Sequence, residues 1–314
     1  MKNPLVLAIA LLAATLTTAC AVDTEPQKAV LVTGASSGIG RNIAEHLAAK
    51  GYFVYAGARK ERDIAELNAI DNIQAVRLDV TIQNDIDAAV GTIRAGGKGL
   101  YGLVNNAGVL NLGPLTKVDE DDIDFLFDVN IYGVYRVTKA FAPMLIENQG
   151  RITTTGSISG FISGANGGVY SMSKFAMEAF TDSLAAELEP QGVEVSIVEP
   201  GSFKSGIMRT MAERSLKKAE AAGEEITAEQ RRRAEGMIAA GESRPEPDAV
   251  AAAVEDALFS ATPKRRYMVT PDEAQARVTL QHALRRIAEL NHDHQFSYSR
   301  DELVNMLDEA LEAL

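Results

Sequence analysis

The sequence predicts an α/β fold: a doubly wound parallel sheet of about seven strands, with an inserted helical lid and a helical C-terminal tail. Three observations predict it. From Lys28 onward, short β-branched runs alternate with helical patterns, as βαβ units require. The first run, Ala29-Val30-Leu31-Val32, is apolar throughout, which suits a strand covered on both faces. A glycine-rich turn, Thr33 to Gly40, follows it directly and opens a helical pattern. With 314 residues, 46% of them hydrophobic, the chain is long enough to bury one large core.

Taken in order, the chain opens with a segment that reads as a targeting leader over residues 1–21. Lys2 precedes an apolar run from Leu5 to Leu16, then small residues, then the polar stretch Asp23 to Pro26. The run is short for a membrane span. Ala19-Cys20-Ala21 has the small-x-small form of a signal-peptidase site, and Thr18-Ala19-Cys20 resembles a lipoprotein cleavage box with Thr17 where leucine is expected. Either reading places the protein in a cell envelope, periplasmic or lipid-anchored, with membrane attachment only through the leader. A start near Val22 and a cytoplasmic protein is the alternative.

The catalytic body is expected over 28–270. Ile43, Ala44, Leu47 and Ala48 share one helical face before Gly51 ends the helix. Further strands are predicted at Phe53 to Ala56, Ala75 to Leu78, Leu100 to Val104, Arg151 to Thr155, Val193 to Val198 and Tyr267 to Val269. Between Phe203 and Arg244 the pattern changes to long, charged, Ala-rich helix, with a capping box from Thr227 to Gln230. This segment, 203–244, reads as a lid. Its Arg231-Arg232-Arg233 run is interleaved with acids and reads as a solvated face. The tail, 271–314, is helical again, with a second capping box from Ser299 to Glu302 before an amphipathic run; packing on a subunit is one role for it.

Composition narrows the function. Lys and Arg total 31 against 43 Asp and Glu, a net charge of -12, so the surface repels phosphate backbones and nucleic acid is not expected as a partner. The single cysteine, Cys20, allows neither an internal disulfide nor a cysteine-based metal site. His292-Asp293-His294 has the look of a ligand pair but lies in a polar stretch, and reads as a solvated turn. No metal is expected.

Two elements carry chemistry. A pyrophosphate needs close backbone approach and N–H groups aimed at it; Gly34, Gly38 and Gly40 at a strand-to-helix turn supply both. The glycine spacing differs from the commoner dinucleotide fingerprint and lacks the Lys-Ser/Thr of a P-loop. Tyr170 and Lys174 stand four residues apart, one turn on a helical face. A nearby ammonium is expected to lower the phenol's pKa from ~10 by roughly one to three units, towards general acid/base work near neutral pH. Ser157 follows the run Arg151 to Thr155, where such sheets present strand ends to ligands.

Together these residues resemble the short-chain dehydrogenase/reductase family, in its single-domain branch, most strongly from Lys28 to Gly201. Thr33 to Gly40 looks like the family's TGxxxGxG turn, Asn105-Asn106-Ala107-Gly108 like its NNAG motif, and Tyr170 with Lys174 like its YxxxK. The resemblance implies a Rossmann-type sheet and a catalytic set of Tyr170, Lys174, Ser157 and Asn130. Tyr170 would exchange a proton with the substrate oxygen. Lys174 would lower the tyrosine pKa and hold the nicotinamide ribose, and Ser157 would fix the substrate oxygen. Asn130 would link Lys174 through water to solvent. It also implies a cofactor site at Gly34, Ser36, Ser37, Gly38, Ile39, Gly40, Arg59, Asp79, Asn106, Ala107 and Gly108, closed by Pro200-Gly201.

Ala58 stands where NAD-specific relatives carry an acid, and Arg59 can pair with a 2′-phosphate, so NADP(H) is expected ahead of NAD(H). Ser37, where many such relatives have a second basic residue, departs from that pattern. Asp79 matches the residue that bonds the adenine amino group, and equally reads as a helix cap before Thr81. The expected activity is interconversion of an alcohol and a ketone or aldehyde on a fairly apolar small molecule, suggested by Val109, Leu110, Phe161, Ile162, Ile207, Met208 and Met211. A non-catalytic NADP(H)-binding sensor or scaffold, and an epimerase or lyase using the same tyrosine, are the alternatives. Pairing through the helices between Gly113 and Pro190 would give a homodimer or homotetramer.

Overall fold

A computed structural model describes residues 27–314; the leader expected over residues 1–21, with Cys20, lies outside the described residues. Seven strands form one sheet: β1 (Ala29–Val32), β2 (Phe53–Ala58), β3 (Ile73–Arg77), β4 (Gly102–Asn105), β5 (Arg151–Thr155), β6 (Glu194–Pro200) and β7 (Arg266–Val269). Their order is β3-β2-β1-β4-β5-β6-β7 and every pairing is parallel. The order reverses between β1 and β4. In an open parallel sheet that reversal leaves a crevice beyond the carboxyl ends of the strands.

Alternation along β1 shows why the strand is apolar at every position. Leu31 belongs to the core on one side of the sheet, with Ile86 and Ile93 of α3 (Gln83–Ala95) and Phe141 and Leu145 of α5 (Val134–Glu147). Val30 and Val32 belong to the other side, with Ile43 and Leu47 of α1 (Gly38–Ala49), Leu67 of α2 (Glu61–Asn68) and Val254 and Leu258 of α9 (Asp248–Phe259). Each fully buried side chain of this size stabilises the fold by about 1.5–3 kcal/mol before ordering entropy is counted. A sheet coated on both faces thus fixes the positions of its strand ends.

Strand limits differ from the expected ones where the sheet, not the local pattern, decides. β2 continues through Gly57 and Ala58 because both pair with β3. β4 starts at Gly102 and not Leu100, and β6 continues to Pro200, opposite Val269. Proline is tolerated there because β5 pairs with β6 only as far as Val198, so no neighbouring strand needs an N–H from position 200.

Two helices, α7 (Ile207–Ala221) and α8 (Ala228–Glu242), pack together over the 203–244 segment. Thr227 and Gln230 close the capping box expected of them. Three ion pairs hold α7 to the start of α4 (Glu120–Phe127): Arg214–Asp122 at 2.8 Å, Lys218–Asp122 at 2.7 Å and Lys218–Asp119 at 2.6 Å. Between them lies a cavity of about 870 Å³ with Leu110, Phe125, Leu126, Met208, Met211 and Met237 in its wall.

The long α6 (Gly168–Leu188) flanks β5 and β6, and the tail forms α10 (Glu273–Leu290) and α11 (Arg300–Glu312), with the Ser299–Glu302 capping box in place. Leu280, Leu284, Ile287, Leu307 and Leu311 of the tail are half exposed. His292 to His294 form an exposed turn. Among the described residues no helix is long and apolar enough to cross a membrane, and no three His, Cys, Asp or Glu side chains gather as metal ligands would.

Candidate active site

The glycine turn is built by close packing. A Cβ on Gly34 would lie 2.8 Å from the Ala107 Cα, and one on Gly40 would lie 2.2 Å from the Asn106 Nδ2. Gly38 has φ +56°, and a Cβ there would meet the Gly206 nitrogen at 2.9 Å. Only glycine fits a left-handed position so tightly covered. Ser37 is the N-cap of α1, yet its side chain makes no capping bond and the first turn holds no acid. The helix therefore presents free N–H groups and the positive end of its dipole, as an anion site requires. Ile39 packs its side chain into the core, leaving Ser36 and Ser37 at the surface of the turn.

Thr33 ties this turn to the loop after β4. Its hydroxyl accepts the Asn106 amide at 2.9 Å and the Ala107 amide at 3.0 Å, and the Asn106 Nδ2 donates to the Thr33 carbonyl at 3.0 Å. Thr155, at the end of β5, donates its hydroxyl to Asn106 Oδ1 at 3.4 Å, and its carbonyl accepts Lys174 Nζ at 2.7 Å. A continuous path thus joins Lys174 to the glycine turn. Gly108 continues this loop, its Cα facing the Asn130 carboxamide.

Ser157 N-caps the short turn Ile158–Gly160, accepting the Ser159 amide at 3.1 Å, and its hydroxyl donates to the Pro200 carbonyl at 3.4 Å. The Tyr170 phenol lies within hydrogen-bonding reach of that hydroxyl. Lys174, buried one turn further along α6, sets its Nζ 5.6 Å from the centre of the Tyr170 ring. Four of the expected residues from three elements therefore converge: Ser157, Tyr170, Lys174 and Pro200.

Their electrostatics correct one expectation. Burial pushes the Tyr170 phenol up to about 12, outweighing the lowering by Ser157. Burial also pushes Lys174 down to about 8, against the raising effect of Glu178. The ammonium was expected to lower the tyrosine; in the protein alone it sits over the ring, bonded to the Thr155 carbonyl, and desolvation wins. The phenol is accordingly held as a proton donor.

Asn130 lies in a π-helical turn, Asp128–Gly133, between α4 and α5. Its carboxamide accepts the Val109 amide at 2.8 Å and donates to the Val109 carbonyl at 2.9 Å and to Ser173 Oγ at 3.1 Å. The side chain thus pins the loop after Gly108 to α6. Single-turn π-bulges of this kind recur at functional sites.

At the far end of the crevice, Arg59 is 57% exposed at the end of β2, with Nη1 3.6 Å from Asp79 Oδ2. Asp79 Oδ1 accepts both the amide and the hydroxyl of Thr81. Burial opposes ionisation of this carboxyl, but the Thr81 bonds and Arg59 outweigh it and hold it below the usual carboxylate range. The helix-cap reading is corrected: α3 starts at Gln83 with Ile82 as its N-cap, so Asp79 closes a local turn ahead of the helix.

Gln275 was not anticipated. Its Oε1 accepts the Ser202 amide at 2.8 Å and packs against Gly201, where a Cβ would come within 2.6 Å of it. The tail thereby anchors the Pro200–Ser202 loop. Glu178 and Glu199 were missed as well; Glu178, four residues after Lys174, was visible as an i,i+4 partner.

The short chain dehydrogenase family model matches residues 28–217. Mitochondrial D-beta-hydroxybutyrate dehydrogenase of Rattus norvegicus is 37% identical over 191 residues, 58% of this chain and 56% of that protein. This chain thus spans just over half the length of that relative. Retinol dehydrogenase 16 of Homo sapiens is 36% identical over 259 residues, 76% of this chain and 80% of that one. A short chain dehydrogenase/reductase from Burkholderia phymatum, solved in complex with NAD, superposes with a TM-score of 0.69 at 26% identity, covering 87% of this chain and 98% of that one. With its Rossmann-type sheet, glycine turn and Ser157–Tyr170–Lys174 arrangement, the chain belongs to the short-chain dehydrogenase/reductase family.

Proposed function

We propose that the protein is an NADP(H)-dependent oxidoreductase interconverting an alcohol and a ketone or aldehyde on an apolar small molecule. The observation that carries this reading is the hydrogen-bonded path from Lys174 through Thr155 and Asn106 to the glycine turn, with Tyr170 and Ser157 at its near end. The residues fit a dinucleotide: the α1 N-terminus is free for a pyrophosphate, and the glycines leave no room for side chains in the cradle. A bound nicotinamide would supply or accept the hydride; every other task falls to this chain.

In the reducing direction Ser157 holds the substrate oxygen and Tyr170 gives it a proton. The phenol's raised pKa keeps it protonated until the substrate oxygen takes the proton, and the Lys174 cation stabilises the phenolate that remains. Pro200 and Gly201, held by Val269 and Gln275, cover the site from the β6 side. Preference for NADP(H) rests on Ala58 and the exposed Arg59, a guanidinium able to pair bidentately with a 2′-phosphate. The apolar substrate class is supported by the Met208, Met211 and Met237 wall of the cavity under the 203–244 lid. Assembly as a homodimer or homotetramer is supported by Tyr132 and Tyr135, half exposed at the start of α5. Envelope location rests on the 1–21 leader, and fractionation of a tagged chain tests it.

The test of the activity is a screen of carbonyls and alcohols with NADPH, NADP, NADH and NAD, read at the nicotinamide absorbance band. Net oxidoreduction changes that absorbance. Turnover of a substrate without any change would replace the proposal with epimerase or lyase chemistry.

A further inference from the structure

Two carboxyl groups, one buried and one partly buried, lie behind the catalytic set and have no part in the proposed chemistry. Glu199, the residue before Pro200, is 3% exposed, and its Oε1 has no hydrogen-bond donor among the described side chains and backbone. Glu178, one helical turn beyond Lys174, likewise keeps a buried Oε1 without a donor. The two carboxyls are within hydrogen-bonding reach of each other. Two ionised carboxylates in that position would repel one another and leave both oxygens orphaned, so one proton between them is the economical arrangement. Glu178 also packs under the turn that carries Ser157, its Oε1 lying 2.7 Å from where a Cβ on Gly160 would stand.

The charges around the pair define its balance. Arg266 of β7 donates Nε to Glu178 Oε2 at 3.1 Å and Nη2 to Asp182 at 2.7 Å, and its Nε lies 3.8 Å from Glu199 Oε1. Lys174 lies on the preceding turn of α6, close enough to feel the charge of Glu178, with Asp182, more than half exposed, on the following turn. With one shared proton, the carboxyl pair and Arg266 sum to zero, and the Glu178 carboxylate is the negative charge nearest Lys174 on its own helix.

We propose that Glu178 and Glu199 share one proton and serve as a charge reserve for Lys174, releasing that proton in alkaline solution so that the Lys174 ammonium keeps its own. The released proton goes to solvent along the exposed side of Arg266 and Asp182, and no bond other than O–H is broken. Burial raises Glu199 to about 8 and lowers Lys174 to about 8, so the two compete to lose a proton in the same range. Loss from the carboxyl pair adds a negative charge beside Lys174 and raises the lysine's pKa; loss from Lys174 would remove the cation that the phenolate needs. Glu178 and Glu199 are positioning residues here, acting on the reaction only through Lys174.

Glu199→Gln keeps the hydrogen bond but holds no releasable proton. In infrared spectra of the wild-type protein in D₂O, a carbonyl band of a neutral carboxylic acid should be present at pH 7 and fade towards pH 9; Glu199→Gln should lack it. In the pH profile of kcat/KM, the alkaline limb should fall about one unit lower in Glu199→Gln than in wild type, since one charge beside Lys174 is missing. Glu199→Asp should restore most of that difference. A wild-type protein with no such band at pH 7, or an alkaline limb unmoved in Glu199→Gln, overturns the proposal. The kinetic arm rests on the assignment of Lys174 to the reaction and the infrared arm does not, so a failure of that assignment would leave the band intact.

Discussion

Lys174 reaches across from α6 to donate a 2.7 Å hydrogen bond to the carbonyl of Thr155, the last residue of β5. This bond fixes the lysine under the Tyr170 ring and connects it, through the Thr155 hydroxyl and Asn106, to the turn at Gly34. The helix that carries Tyr170 and the glycine turn after β1 are thereby joined by side-chain hydrogen bonds. Removing the parts one at a time should separate chemistry from binding.

Ser157→Ala should lower kcat/KM by about 10²-fold while leaving NADPH affinity within a factor of ~2, if the hydroxyl acts on the substrate oxygen as proposed. Steady-state kinetics and fluorescence titration with NADPH check this pair of outcomes. A loss confined to NADPH affinity would move Ser157 out of the substrate's reach.

Arg59→Ala should weaken NADPH by about 10- to 100-fold, the usual size of a lost charge-assisted bond, and leave NADH nearly unchanged. Competitive titration of both cofactors decides it. Equal effects on the two would mean that Arg59 touches no 2′-phosphate.

Asp122 receives both Arg214 and Lys218 from α7. Each exposed pair is worth about 0–1 kcal/mol, so Asp122→Asn should raise KM by roughly two- to fivefold with kcat little changed. The 207–242 segment should also be cut faster in limited proteolysis. Unchanged KM and cutting rate would show that the ion pairs do not hold the lid.

The raised Glu199 carboxyl has a thermodynamic signature. A group whose folded pKa lies above its unfolded value gives stability that is complete below the unfolded value and is lost as pH rises through the folded one. For Glu199 that window runs from 4.5 to about 8. The wild-type Tm should fall across it, and Glu199→Gln should flatten the decline. Calorimetry at pH 5, 6.5 and 8 measures both; parallel curves would contradict the assignment.

Much of this was legible in the sequence because the signals were local. The four-residue step from Tyr170 to Lys174, the glycine turn after an apolar strand, and the capping boxes at Thr227 and Ser299 depend only on near neighbours. What was not legible depends on the fold. Glu178 and Glu199 are 21 positions apart in the chain and meet only because α6 packs on β6. Gln275 reaches the Gly201 loop from the tail, a segment whose role the sequence left open. The opposite sign of the tyrosine's shift has the same origin: the helical step correctly places the lysine one turn away, but the degree of burial belongs to the packed protein.

The role of Tyr170 as proton donor is tested by comparing wild type with Tyr170→Phe for NADPH binding and for turnover on a carbonyl found active in the screen. NADPH affinity should stay within a few-fold of wild type and kcat should be at least about 10²-fold lower. Tyr170→Phe turning over at the wild-type rate would contradict that role, because Tyr170 is the group assigned to give the substrate oxygen its proton.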